Sequence, residues 1–134
     1  MWLVKTEPGT YSYADLEREG RAVWDGVTNP VALRNLRAMQ AGELVVVYHT
    51  GDERAAVGLA RVARAAYPDP RAGVARLVVV DLEPVRRLRA PVPLAALKQS
   101  PLFADSPLVR QGRLSVVPLT GPQGQALARG RAEP

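Results

Sequence analysis

Between residues 44 and 85 the chain carries three runs that only a β-sheet can use: "LVVVY" (Leu44–Tyr48), "AVGLARVARA" (Ala56–Ala65) and "ARLVVVDLEPV" (Ala75–Val85). Each is rich in valine and other apolar residues, and turn chemistry separates them, "TGDER" after the first and "YPDP" after the second. Runs this short cannot cross a bilayer, which needs roughly 20 apolar residues. Gly58, inside the second run, marks a bulge or a close backbone approach.

The flanking sequence supplies more strands and the helices that must cover the sheet. "WLVKT" (Trp2–Thr6) reads as a first strand ending at Glu7-Pro8-Gly9, and "RLSVVPL" (Arg113–Leu119) as the last. "SYADLEREG" reads as a short helix, with Ser12 as cap, Asp15 completing a capping box and Gly20 as stop. Asn29 followed by Pro30 is a helix start, because the Asn side chain caps and Pro suits the first helical position. That helix should run to about Gln40, with Leu33, Leu36 and Met39 at helical spacing and Gly42 ending it. "PLAALK" suggests a helical turn, and "GPQGQALARG" a short terminal helix or a fray. Strands interspersed with short helices, without repeat or linker, argue for one α+β domain over residues 1–134. Its sheet should be mixed, largely antiparallel, and curled towards a barrel.

Composition narrows the function. The chain has no cysteine and one histidine, which excludes disulfides, thiolate nucleophiles and zinc–sulfur sites. No clustered carboxylates replace them, so neither a metal nor another cofactor is expected. "MWLVKTEP" lacks the basic and apolar regions of a signal peptide, and a cytoplasmic, membrane-free protein is the expectation. Nothing in the sequence speaks for an oligomer, and a monomer is favoured. Charge is lopsided: residues 1–83 hold 10 basic and 11 acidic side chains, whereas 84–134 hold 8 basic and 2 acidic. A basic C-terminal part points to an anionic partner, with nucleic acid first in line. Arg110 and Arg113 are its candidate backbone contacts, on charge alone.

No glycine-rich phosphate loop, nucleophile elbow or zinc-protease helix is present. His49, in "YHTGDE", is the only possible imidazole base, and no nucleophile is signalled beside it. Lys5, Thr6 and Glu7 can present a cation, a hydroxyl and a carboxylate at a strand end, or simply terminate the strand at Pro8. The aromatic residues Trp2, Tyr11, Tyr13, Trp24, Tyr48 and Tyr67 all precede residue 70. Aromatic faces near polar turns and a basic surface are what base stacking requires. Trp24, set against Asp25 and Gly26, is either a core plug or such a face.

"WLVKTEP", "VWDGVTNPVALRNLRAM", "GELVVVYHTGDE", "AVGLARV", "YPDP" and "RLSVVPL" together resemble, in order and spacing, the EVE domain family. The resemblance covers essentially the whole chain. It implies a PUA-like pseudo-barrel of mixed sheet with flanking helices, related to YTH domains. It also implies non-catalytic reading of a modified base in DNA or RNA. The family motif WDGVRNYQARN is matched at Trp24, Asp25, Gly26, Val27, Asn29 and Ala32. The sequence departs from it at Thr28, Pro30, Val31 and Leu33, where the family has Arg, Tyr, Gln and Arg.

On this reading Trp24 stacks on the base at a helix mouth, and Lys5, Thr6, Asn29 and His49 supply polar contacts. Tyr48 and Tyr67 wall the pocket. The alternatives are a hydrolase of modified pyrimidine nucleosides, resembling ASCH-type enzymes through Lys5, Thr6 and Glu7, and a protein-interaction module.

Overall fold

Strand β1 (Trp2–Thr6) lies inside the sheet rather than at its edge, paired parallel with β3 (Leu44–His49) and antiparallel with β6 (Val116–Pro118). β4 (Ala55–Pro68) and β5 (Val78–Pro93) form a long antiparallel ribbon, and β2 (Ala22–Trp24) closes the far edge against β5. The strand order is β2-β5-β4-β3-β1-β6. This computed structural model describes residues 1–134 throughout.

The sheet curls into an open half-barrel, and the ribbon shows how. Its register shifts between Ala56 and Gly58, Leu59 and Ala60, Val62 and Arg64, and Arg64 and Tyr67. Each irregularity adds local bend and twist. β5 runs eight residues beyond the predicted end at Val85. Pro84 sits at one of these shifts, and past it β5 has only β4 as a partner, because β2 pairs with Val80–Leu82 alone. Proline is tolerated at such an edge, where its missing N–H breaks no ladder.

Helix α1 (Tyr13–Glu19) has the predicted capping box between Ser12 and Asp15, and ends at Gly20 with φ 75°. Helix α2 (Pro30–Ala38) starts where expected, with the Asn29 Oδ1 accepting from the N–H groups of Val31 and Ala32 at 2.9 and 3.1 Å. Its Leu33 and Leu36 are buried against the sheet, and Asn35 donates to the Val116 carbonyl at 2.8 Å. α3 (Leu94–Gln99), a 3-10 turn (Pro101–Phe103) and α4 (Pro107–Arg110) form the return to β6. α5 (Gly121–Ala128) is an ordered helix rather than a fray, held by a second capping box between Thr120 and Gln123. No helix is long and apolar enough to cross a membrane.

The core joins Leu3 and Val4 of β1, Val45–Val47 of β3, Leu59 of β4 and Leu82 of β5 to Leu33 and Leu36 of α2. Fully burying each leucine or valine contributes about 1.5–3 kcal/mol, before the entropy of ordering it is counted.

Candidate functional site

A cleft of about 600 Å³ opens where the end of β1, the segment before α1 and strand β2 meet. Such a volume is of the size that holds small ligands, roughly 300–1,000 Å³. Lys5 and Thr6 come from β1, Tyr11 from the approach to α1, and Trp24 to Val27 from β2 and the turn after it. Gly26, at φ 78°, turns the chain there in a conformation that favours glycine. Arg21 and Arg71 supply exposed cations, with Glu19 and Asp25 as the acidic counterparts.

Trp24 is both of the things its sequence allowed. It is only 7% exposed and belongs to the core cluster, yet its remaining surface lines the cleft. Tyr11 stands edge-on to it, centroids 6.0 Å apart and planes at 85°, so the two rings form an aromatic corner. The Tyr11 hydroxyl donates to the Glu19 carboxylate. Burial first, and that carboxylate second, hold the Tyr11 hydroxyl protonated far above its ordinary range.

The polar residues of β1 are partly spent on the backbone. The Lys5 ammonium donates to the Gly112 carbonyl at 2.9 Å, and the Thr6 hydroxyl to the Tyr11 carbonyl at 2.7 Å. Burial lowers the Lys5 pKa from its usual 10.5. Glu7 folds back to accept from the Gly9 N–H at 2.9 Å. The three neighbours thus serve three separate backbone groups.

Of the residues singled out in the sequence, Trp24, Lys5 and Thr6 meet at this cleft. Asn29 lies outside its lining, with its carbonyl oxygen occupied as the cap of α2. Tyr48 is buried on β3 and faces a second, smaller cleft that shares Lys5. His49 is 7% exposed, and both ring nitrogens are engaged: Nε2 accepts from the Tyr13 N–H at 3.0 Å, and Nδ1 meets Glu53 Oε1 at 2.7 Å. It therefore satisfies one of the free N–H groups at the start of α1. Arg110 is tied to the Ala104 carbonyl at 2.9 Å and to Asp105 at 3.1 Å, whereas Arg113 is exposed and unpaired.

Tyr67 does not line the cleft but connects to it. Its hydroxyl donates to Asp81 Oδ1 at 2.5 Å, and Asp81 Oδ2 accepts from Arg21 at 2.9 Å. The Arg64 guanidinium stacks over the Tyr67 ring, 3.7 Å from its centroid. Burial pushes the Asp81 carboxyl upward, but the Tyr67 hydroxyl and Arg21 outweigh it and hold the pKa below 3.8. A carboxylate whose pKa is lowered by folding contributes stability above the unfolded value, lost as pH falls through the folded one. Asp81→Asn should therefore cost stability at pH 7, and the gap to the wild type should narrow at about pH 3. Urea midpoints at both pH values check this; a gap that widens in acid would contradict the pairing.

Tyr11, Arg21, Asp25, Val27 and Arg71 were not singled out as site residues. Only the aromatic clustering had hinted at Tyr11. The acids and arginines sit in turns whose meeting depends on β2 pairing with β5, and a three-residue strand leaves no periodicity to read.

The EVE domain family model matches residues 1–129. Human thymocyte nuclear protein 1 is 32% identical over an alignment covering 89% of this chain and 68% of that protein. A crystal structure of an Agrobacterium tumefaciens protein superposes with TM-score 0.92 at 33% identity, covering 99% of this chain and 94% of that one. The crystal structure of human THYN1 protein in complex with 5-methylcytosine-containing DNA superposes with TM-score 0.85 at 30% identity, covering 95% of each chain. With its curled mixed sheet and short flanking helices, the chain belongs to the EVE domain family.

Proposed function

We propose that this protein is a non-catalytic reader of a modified base in DNA, and that the base enters the cleft edged by Tyr11 and Trp24. The observation that carries this reading is the aromatic corner itself, open to solvent beside Lys5, Arg21 and Arg71. A flat ring inserted there meets apolar surface on two sides, while the cations lie where a phosphate chain would approach. The related human THYN1 protein, whose structure contains 5-methylcytosine-containing DNA, makes that base the first ligand to test.

The separate engagements of Lys5, Thr6 and Glu7 support binding over hydrolysis, since a convergent catalytic set needs the three on one target. Titration of matched DNA and RNA oligonucleotides carrying cytosine or 5-methylcytosine tests the reading. The modified DNA is expected to bind more tightly than the unmodified one. Equal affinity across a panel of base modifications, or turnover of an acylated cytidine, would sink it.

Charge makes a further prediction. Each phosphate contact adds roughly 0.7–0.9 to the magnitude of the log–log salt slope. Arg113, with no internal partner, should flatten that slope by about one contact's worth when replaced by alanine. Arg110, held by Ala104 and Asp105, should change it less. Affinity titrations from low to high salt read both slopes; the reverse ranking would overturn the assignment of Arg113.

A further inference from the structure

A second cleft, of about 180 Å³, lies on the other side of Lys5 from the aromatic corner. Its charged side chains are Lys5, Arg54 and Lys98, and no acidic residue lines it. Neither Arg54 nor Lys98 makes an ion pair or a side-chain hydrogen bond within the protein, and Lys5 donates only to Gly112. The Tyr48 hydroxyl, at the same cleft, has no hydrogen-bond partner either, although the ring is 97% buried, with 3% exposed. Lys5 Nζ sits 5.6 Å from the centre of that ring.

The backbone holds these cations in place. Arg54 is the one non-glycine residue with positive φ, at 43°, a conformation that costs an L-residue about 1–2 kcal/mol. Its carbonyl accepts from the Leu94 N–H at 2.8 Å, fastening the turn after β3 to the start of α3. Lys98 stands one helical turn further along α3, so the strained residue and the helix cation face one cleft. Leu94, Leu108 and Val109 give it apolar walls. Three cations and a hydroxyl donor, without a carboxylate among them, leave positive charge and hydrogen-bond donors that only an external anion can satisfy.

We infer that this cleft is a phosphate-binding subsite, and that it takes a backbone phosphodiester next to the base held at Tyr11 and Trp24. The second half of the inference rests on the base-reading function proposed above, because Lys5 borders both clefts and links them. Its small volume suits a single tetrahedral anion rather than a second base.

The test uses the double variant Arg54→Ala/Lys98→Ala, which leaves the aromatic corner and Lys5 untouched. Three probes separate the possibilities: inorganic phosphate, the free modified nucleoside, and an oligonucleotide carrying the modified base. Inorganic phosphate is expected to raise the thermal midpoint of the wild type but not that of the variant. The variant should bind the oligonucleotide at least 10-fold more weakly, with a salt slope flattened by roughly 1.4–1.8 for two lost cations. Its affinity for the nucleoside, which has no phosphate, should be unchanged. A neutral methylphosphonate scanned along the oligonucleotide should weaken the wild type at one linkage and leave the variant indifferent there.

Unaltered phosphate and oligonucleotide binding in the variant would overturn the subsite. Loss of phosphate binding with unchanged oligonucleotide affinity would overturn the backbone assignment and leave a site for free or terminal phosphate. If the wild type shows no base preference but the variant loses phosphate binding, the base-reading proposal fails while the anion subsite stands.

Discussion

Trp24→Ala is expected to lower stability by about 3–5 kcal/mol, the cost of deleting a buried tryptophan and leaving its cavity. For a urea dependence of about 2 kcal/mol per molar, that moves the unfolding midpoint down by roughly 2 M. The ring is 7% exposed and packs in the main core cluster, so the loss belongs to the fold before it belongs to any ligand. Domains of this size have about 5–15 kcal/mol in hand, so the variant should remain folded in the cold without denaturant. Under those conditions it should also bind the modified oligonucleotide roughly 5- to 150-fold more weakly, because a ring against a base contributes about 1–3 kcal/mol. Trp24→Phe should recover part of both, since a smaller ring still fills the core and still meets Tyr11. The two readouts test different claims. A folded Trp24→Ala protein that binds like the wild type would leave Trp24 a purely structural residue and move recognition to Tyr11. A variant with an unchanged midpoint would contradict its place in the core.

The double role of Trp24 explains which parts of the molecule could be read from the chain. Elements whose signals are local were legible. The bounds of β1 follow from an apolar run stopped at Glu7-Pro8-Gly9. The caps of α1 and α2 follow from Ser12, Asp15, Gly20, Asn29 and Pro30. The extension of β5 to Pro93 was not, because three prolines and three arginines look like the end of a strand. Only the three-dimensional fact that this stretch is an edge, relieved by bulges, makes them acceptable.

The site was less legible for the same reason. His49 is occupied by a backbone N–H 36 residues away, a partner that no local pattern announces. Tyr67 reaches the cleft only through Asp81 and Arg21, which lie 14 and 46 residues from it in the chain. Asn29 carried two possible meanings, cap and ligand contact, and its carbonyl oxygen is spent on the first. Motif matching names residues that a family keeps together, whereas the cleft is composed of whatever the sheet brings to one place. The arginines at positions 21 and 71 belong to the second kind.

Gly58→Ala is the other large effect, and it comes from a single atom. A Cβ built on Gly58 would lie 2.5 Å from the tip carbon of the Tyr13 ring and within 2.7 Å of its neighbours. Those atoms cannot move aside cheaply. Tyr13 is 1% exposed, its hydroxyl donates to the Leu59 carbonyl at 2.6 Å, and its N–H is held by His49. The added methyl must therefore displace a packed ring, break a buried hydrogen bond or shift β4, and overpacking of this kind costs about 1–3 kcal/mol, occasionally more. An unmade buried hydrogen bond adds about 1–3 kcal/mol if the hydroxyl loses its acceptor. We expect the total near the upper end of the first range or above it. Gly124→Ala supplies the control: its Cβ would meet the Met1 sulfur at 2.3 Å, but that is the end of a flexible chain at the terminus. It should swing away, and alanine in helix α5 returns up to about 1 kcal/mol of helix propensity. The decisive comparison is Gly58→Ala with Gly58→Ala/Tyr13→Ala. Cutting away the ring removes the clash, so the double variant should be more stable than the sum of the two single losses implies. Strict additivity in urea unfolding would show that Gly58 is needed for its backbone conformation at the bulge rather than for the space it leaves to Tyr13.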